Sequence, residues 1–407
     1  MLRIFLVATL IDALGSGLWV PFALLFLVHG QGMGLVDAGA SLSTGALLAL
    51  VTAPATGAAM DRFGPRALLI AGNLVRLAAF AAYPLAHTSW PVIAISAVAG
   101  FGDRLFWTCN APMVARLTSG SDTDRVLATQ TIGRFAGAGL GAAAMAVLPT
   151  ITSPWAFHLL AYVNAASFAV AALLIRLLPA LSRESAVPGR KGHFHVKVPS
   201  GGWRAVVGDR GFTGFCVTHM AFTLASASKF SVLPLVVRDL LHGPQWIAGT
   251  AITVGTVVVV TAQRPIVALL AGRSRTAGLI AAAVLFAVCF ALLIPLQAVS
   301  LPVATVLILL TSLGFSIAEA LFGPTATAAA AAAAPPGAEG RASSIFQLSW
   351  GLPLALAPGL LATLLSVSNA LTWAILALTC ASAVPALLVL RRKLPDALRE
   401  PSRPVSA

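Results

Sequence analysis

The chain is a succession of apolar runs, each of about 20 residues or more, closed by short turns rich in glycine, proline and polar side chains. That repeat constrains the fold more than any other feature. A helix rising 1.5 Å per residue crosses the roughly 30 Å hydrocarbon layer of a bilayer in about 20 residues, whereas a spanning strand needs about ten. Within lipid, every backbone N–H and C=O must be paired inside the protein, which leaves helices or closed barrels. The run length selects helices. Twelve candidate spans lie near 4–28, 38–59, 67–86, 91–116, 125–148, 155–178, 212–237, 246–270, 277–296, 302–333, 343–365 and 370–390. The first run, interrupted by Asp12 and Pro21, is too long for the apolar part of a secretory signal and reads as a spanning helix.

Composition agrees. Hydrophobic residues make up 58% of the 407 positions and charged ones 10%, with a mean hydropathy of +0.92; soluble domains carry about a quarter charged residues. The net charge of +13 is not a nucleic-acid footprint, because its placement alternates along the chain. Arg62, Arg66, Arg116, Arg125, Arg183, Arg190, Lys191, Lys197, Arg273, Arg275, Arg341 and Arg391 fall in every second connection. The turns near 29–37, 87–91, 149–154, 297–302 and 366–369 carry no Lys or Arg, and Arg238 alone breaks the pattern. The positive-inside rule then predicts a multi-pass protein of the cell membrane with both termini cytoplasmic, the basic faces touching anionic lipid. Cys109, Cys216, Cys289 and Cys380 lie inside apolar runs without ligand spacing, so neither a metal site nor a disulfide framework is expected.

A polar segment rich in Gly, Pro and basic residues separates two sets of six spans. It divides the chain into a bundle over 1–178, a cytoplasmic linker over 179–211, a second bundle over 212–391 and a tail over 392–407. The halves echo each other: Pro21 and His29 with Pro234 and His242, AGASLSTG from Ala38 with AGTAITVG from Ala248, and Arg125 and Gln130 with Arg341 and Gln347. Such echoes in chain order predict a duplicated six-helix unit, an all-α protein of two pseudo-symmetric bundles.

Between the second and third spans stands GAAMDRFGPR, in which Gly57, Asp61, Arg62, Gly64 and Arg66 form a G-x-x-x-D-R-x-G-x-R pattern. With six plus six helices and a basic linker, this loop resembles the signature of the major facilitator superfamily, which commonly has a further basic residue where this chain has Ala67. The resemblance covers essentially the whole chain. It implies that the five loop residues latch the two halves together in one state and release on switching. A purely topological role for the arginines is the alternative. The second half keeps only Gly272, Arg273 and Arg275 of the pattern.

Ionisable residues within spans are costly and mark candidate function. These are Asp12, Arg76, Asp103, Arg104, Arg134, Lys229 and Glu319. Asp12 lies about 14 Å along its helix from Arg3, near mid-membrane. The family resemblance implies that Asp12 pairs with Arg104 across a central cavity; a permanent structural ion pair is the alternative, and Arg134 of the fifth span is a further coupling candidate. Lys229 and Glu319 are the expected counterparts in the second half, and Arg76 and Asp103 are secondary candidates. Proton-coupled drug exporters are the nearest likeness within the superfamily, and several carry a comparable acid in helix 10. Two departures weigh against antiport: the glycine run of the fifth span has Ala138 where antiporters have proline, and Trp107 and Thr108 replace the Gln-Gly expected after Arg104.

No HExxH, Walker or GxSxG pattern occurs, so enzyme chemistry is not expected. The reading is a secondary transporter, without cofactor or metal, that exports small hydrophobic compounds with protons as the coupling partner and needs no obligate protein partner. An importer or uniporter of a small nutrient, a lipid translocase and a non-transporting sensor are the alternatives.

Overall fold

A computed structural model describes residues 1–118, 154–178, 202–270, 273–335 and 338–394, together with Val126, Gln130, Gly133, Ala136, Gly137, Gly139, Leu140, Gly141, Ala143 and Leu398. The described chain is helical, without a strand. The helices are α1 (Leu2–Trp19), α2 (Leu35–Val51), α3 (Ala53–Phe63), α4 (Pro65–Ala82), α5 (Ser89–Leu117) and α6 (Pro154–Arg176). A short α7 (Gly202–Gly208) precedes α8 (Arg210–Leu235), α9 (Trp246–Leu270), α10 (Arg275–Leu293), α11 (Leu301–Ala333), α12 (Glu339–Val367) and α13 (Asn369–Lys393). Among the described residues ten helical stretches are long and apolar enough to cross a membrane, and α2 is a shorter apolar one. Most of the fifth expected span, 125–148, lies outside the described residues.

The second run departs from the single span expected over 38–59. It breaks at Thr52, where α2 ends and α3 begins. Pro54 has no N–H to continue the helical ladder, and the Thr52 hydroxyl donates to the Ala49 carbonyl at 2.7 Å. Helix α1 continues through a 3₁₀ turn (Val20–Phe22) into a π turn (Phe26–Gly30), and α8 runs directly into its own π turn (Val236–Leu240).

By packing, the described helices group into two compact units. The first comprises Met1–Lys191, Phe230–Thr253 and Pro358–Ser366; the second comprises Gly192–Lys229, Val254–Ala357 and Val367–Ala407. Within the first, α4 packs on both α5 and α6, α2 on α5, and α1 on α6. Within the second, α10 packs on both α11 and α13, so a central helix flanked by two others recurs. Lipid supplies no hydrophobic force between helices, so close packing must hold them, and small residues sit at the crossings. A Cβ at Gly72 would come within 2.9 Å of the Gly102 carbonyl, and one at Gly102 within 2.7 Å of Arg76 Cγ, which brings α4 and α5 backbone to backbone. The glycine run of the fifth span behaves likewise: Gly137 and Gly141 press on Leu10, Ala13 and Leu14 of α1.

Candidate functional site

In the first unit, charge gathers around Arg76, midway along α4. Its two terminal nitrogens grip both carboxylate oxygens of Asp12, at 3.2 and 3.4 Å. Asn73, one helical turn earlier, accepts a third bond at 2.9 Å and donates to the Leu69 carbonyl. The guanidinium lies over the rings of Phe168 and Phe106, 4.3 and 5.2 Å from their centroids. On its other side Asp103 Oδ1 stands 3.8 Å from Nη1. The expected partner of Asp12 is therefore corrected: among the described residues the arginine in ion-pair contact with it is Arg76, where Arg104 was expected. The cause is the glycine crossing of α4 and α5, which lets Arg76 extend between α1 and α5. Arg104, on the next position round α5, is half-buried, and its Nε has no hydrogen-bond partner.

In the second unit, Lys229 of α8 is 6% exposed, and its ammonium donates to Ser316 Oγ at 3.3 Å. A Cβ at Gly255 of α9 would strike that ammonium and would lie 2.7 and 3.0 Å from the hydroxyls of Ser316 and Ser312, so the absence of a side chain there makes the lysine's berth. Glu319, one turn beyond Ser316 and midway along α11, attracts Lys229 electrostatically and is hydrogen-bonded by Ser226. Closer to the start of α8, His219 is buried against the rings of Phe322, Phe346 and Trp350, with Nδ1 2.9 Å from Ser349 Oγ. The sequence marks neither His219 nor the glycine berth, because both depend on which helices become neighbours.

At the loop, α3 ends at Phe63, Gly64 takes φ +79°, and Pro65 opens α4. A left-handed turn of this kind costs a glycine little. Arg66 turns back and donates to the Ile175 and Arg176 carbonyls at 3.4 and 2.8 Å, satisfying the end of α6. Arg62 is exposed, 5.2 Å from the ring centroid of Phe63. The side chains of Gly57, Asp61 and Arg134 lie outside what the structure describes.

A further polar set joins the two sets of helices inside the first unit. His29 Nε2 donates to Asp239 Oδ1 at 2.7 Å. Ser43 Oγ accepts from the Gly359 N–H at 2.8 Å, and Thr253 Oγ1 donates to the Gly139 carbonyl at 3.4 Å. His29 and Asp239 are 210 positions apart, so their contact joins equivalent places in the two halves; Ser43 and Thr253, also 210 apart, each bond a glycine of another helix. The π turns set the same register: Gln31 N–H bonds Phe26 O, and Leu241 N–H bonds Val236 O. The positive-φ residue that follows is Gly32 in one half and His242 in the other. The echo of Pro21 and His29 with Pro234 and His242 is thus three residues out of step, since hydrogen bonding, not residue identity, fixes the alignment.

Long apolar helices with charges buried among them define a multi-pass membrane protein. Residues 5–358 match the sequence profile of the Major Facilitator Superfamily, and the chain belongs to that superfamily. It is 26% identical over 241 residues to the multidrug resistance protein MdtH of Edwardsiella ictaluri, covering 59% of this chain and 56% of that protein. It is 27% identical over 190 residues to MdtH of Salmonella typhimurium, covering 46% and 44%. The chain spans about half the length of these curated relatives. In fold it is similar to the crystal structure of a D-xylose-proton symporter, with TM-score 0.75, 14% identity and coverage of 97% and 98%. It is also similar to that of a POT family transporter in complex with a thioalcohol conjugated peptide, with TM-score 0.76, 13% identity and coverage of 97% and 96%.

Proposed function

We propose that this transporter works by alternating access and exports small hydrophobic compounds across the cell membrane in exchange for protons. The twelve-span arrangement, with bundles over 1–178 and 212–391 and cytoplasmic termini, belongs to the same reading. The observation that carries it is Lys229, buried within apolar helices with its ammonium on Ser316 in the berth left by Gly255, and Glu319 one turn beyond as its countercharge. A buried ammonium is costly without a countercharge. Protonation of Glu319 removes that countercharge, so a proton arriving there changes the stability of one conformation against another. A ligand or proton shifts such an equilibrium only through this kind of differential interaction. Export of apolar compounds is supported by the relatives' name, multidrug resistance protein, and by the scarcity of clustered hydrogen-bonding side chains. Asp12 with Arg76 is the corresponding charge pair of the first half, Arg104 and Arg134 are assigned to the same coupling set, and the 57–66 loop is the latch.

The test is uptake into inverted vesicles, screened against a panel of apolar compounds with and without an imposed proton gradient. Uptake that follows the gradient and collapses with an uncoupler is the expected result. Gradient-independent equilibration would replace this reading with a uniporter, and accumulation in right-side-out vesicles would replace it with an importer.

A further inference from the structure

The two carboxylates around Arg76 are not equivalent. Asp12 is sealed: its side chain is 2% exposed, both oxygens engage the guanidinium, and Ser16 Oγ lies 3.5 Å from Oδ1. Asp103 is 3.8 Å from the same Nη1, beyond hydrogen-bond length but within ion-pair reach, and its side chain is 40% exposed. It sits midway along α5, where a charge facing hydrocarbon is unaffordable, so its open side must meet water.

We propose that Asp103 is the proton-exchanging carboxylate of the first half, and that Asp12 is the fixed counter-ion that holds Arg76 in place for it. This inference rests on the proton-coupled reading above. The physical reason is the unequal cost of protonation. A proton on Asp12 would strip a buried arginine of its bidentate partner, the kind of break that is strongly destabilising. A proton on Asp103 loosens only one long, partly hydrated contact, and partly hydrated pairs are worth little. Hydronium delivers its proton to a carboxylate oxygen of Asp103, and the same O–H bond breaks to return it to water. Between those events the cluster passes from two carboxylates around Arg76 to one. The packing leaves few rivals for this role. Helix α2, against α5, carries only Asp37, in its first turn; α4 contributes Arg66 and Arg76; α3 carries Asp61 and Arg62 at its end; and Arg104 is the charged neighbour on α5 itself. The network around Arg76 then transmits the change, because Asp12, Asn73 and the rings of Phe106 and Phe168 hold the guanidinium beside Asp103.

Two measurements on the full-length protein decide it. In liposomes, Asp103→Asn is expected to lose gradient-driven flux while keeping substrate counterflow, and Asp103→Glu is expected to restore gradient-driven flux with a displaced pH profile. Separately, pH-difference infrared spectra of the detergent-solubilised protein should contain a carboxyl C=O band that is absent from Asp103→Asn and present in Glu319→Gln. Monodisperse elution on gel filtration establishes that both variants fold. If Asp103→Asn keeps both the gradient-driven flux and the band, the inference is overturned. If the parental protein shows no gradient dependence, proton coupling falls, while the infrared band still decides whether Asp103 titrates.

Discussion

Asp12, Arg76 and Asn73 show how one side chain depends on its surroundings. The guanidinium is desolvated, so its stability comes from the bidentate carboxylate, one amide oxygen and two aromatic faces. Asp12→Asn should therefore lower stability by on the order of 3 kcal/mol, moderated by Asp103 nearby, and denaturation in detergent measures it. A much smaller loss would mean that Asp103 alone carries the arginine. In the second unit, Gly255→Ala places a methyl group where the Lys229 ammonium sits. The lysine is flexible and yields, so the variant should fold normally yet lose gradient-driven flux. Full flux in a folded Gly255→Ala protein would show that the position of Lys229 is immaterial. For the loop, Asp61→Asn should slow cycling with little effect on folding, because a latch acts in one state only. Unchanged flux from a folded variant would leave the arginines as markers of topology and, for Arg66, as a cap on α6.

At the scale of helices, α2 and α12 meet through small residues within the first unit. A Cβ on Gly39 would fall within 2.5 Å of the Pro358 carbonyl, while Ser43 bonds the Gly359 N–H. Backbone that close has no side chain to move aside. Gly39→Leu should therefore force the two helices apart and disfavour the state in which His29 and Asp239 touch. The measurement is trapping of His29→Cys with Asp239→Cys by a short bifunctional thiol cross-linker, since the longer parental side chains touch at their tips, 2.7 Å apart. Trapping should be efficient in the otherwise parental protein and should fall severalfold with Gly39→Leu. Equal trapping would show that the α2–α12 contact does not govern closure there. The break at Thr52 belongs to this scale too, since it separates the packed helix α2 from the loop-bearing α3.

For the whole molecule, the alternation of basic and charge-free connections makes a topological prediction. Reporter fusions or cysteine labelling near residues 195 and 403 should both report the cytoplasm, and labels near 31 and 299 the opposite side. Either basic position found outside would invert the orientation and, with it, the direction assigned to transport. Superfamily membership fixes the class of machine, and the direction and cargo rest on that experiment and on the vesicle assay.

The apolar period, the loop pattern and the positions of the charges were all open to view in the sequence, because each is local. Run length follows from the rise of a helix and the thickness of a bilayer, and charge placement from the cost of moving Lys or Arg across it. The same logic singled out Asp12, Lys229 and Glu319 as residues that must have a reason to be inside. Which residues meet was another matter. Arg76 reaches Asp12 because Gly72 and Gly102 bring two helices together at one height, a register that no span-by-span reading contains. Asn73 carries a usable signal, standing one turn before the arginine it orients, but His29 with Asp239 carries none: 210 positions apart, they become neighbours only when the halves are packed. Sequence determines what each helix is able to bury; tertiary structure decides, through small-residue crossings, which buried charges share a site.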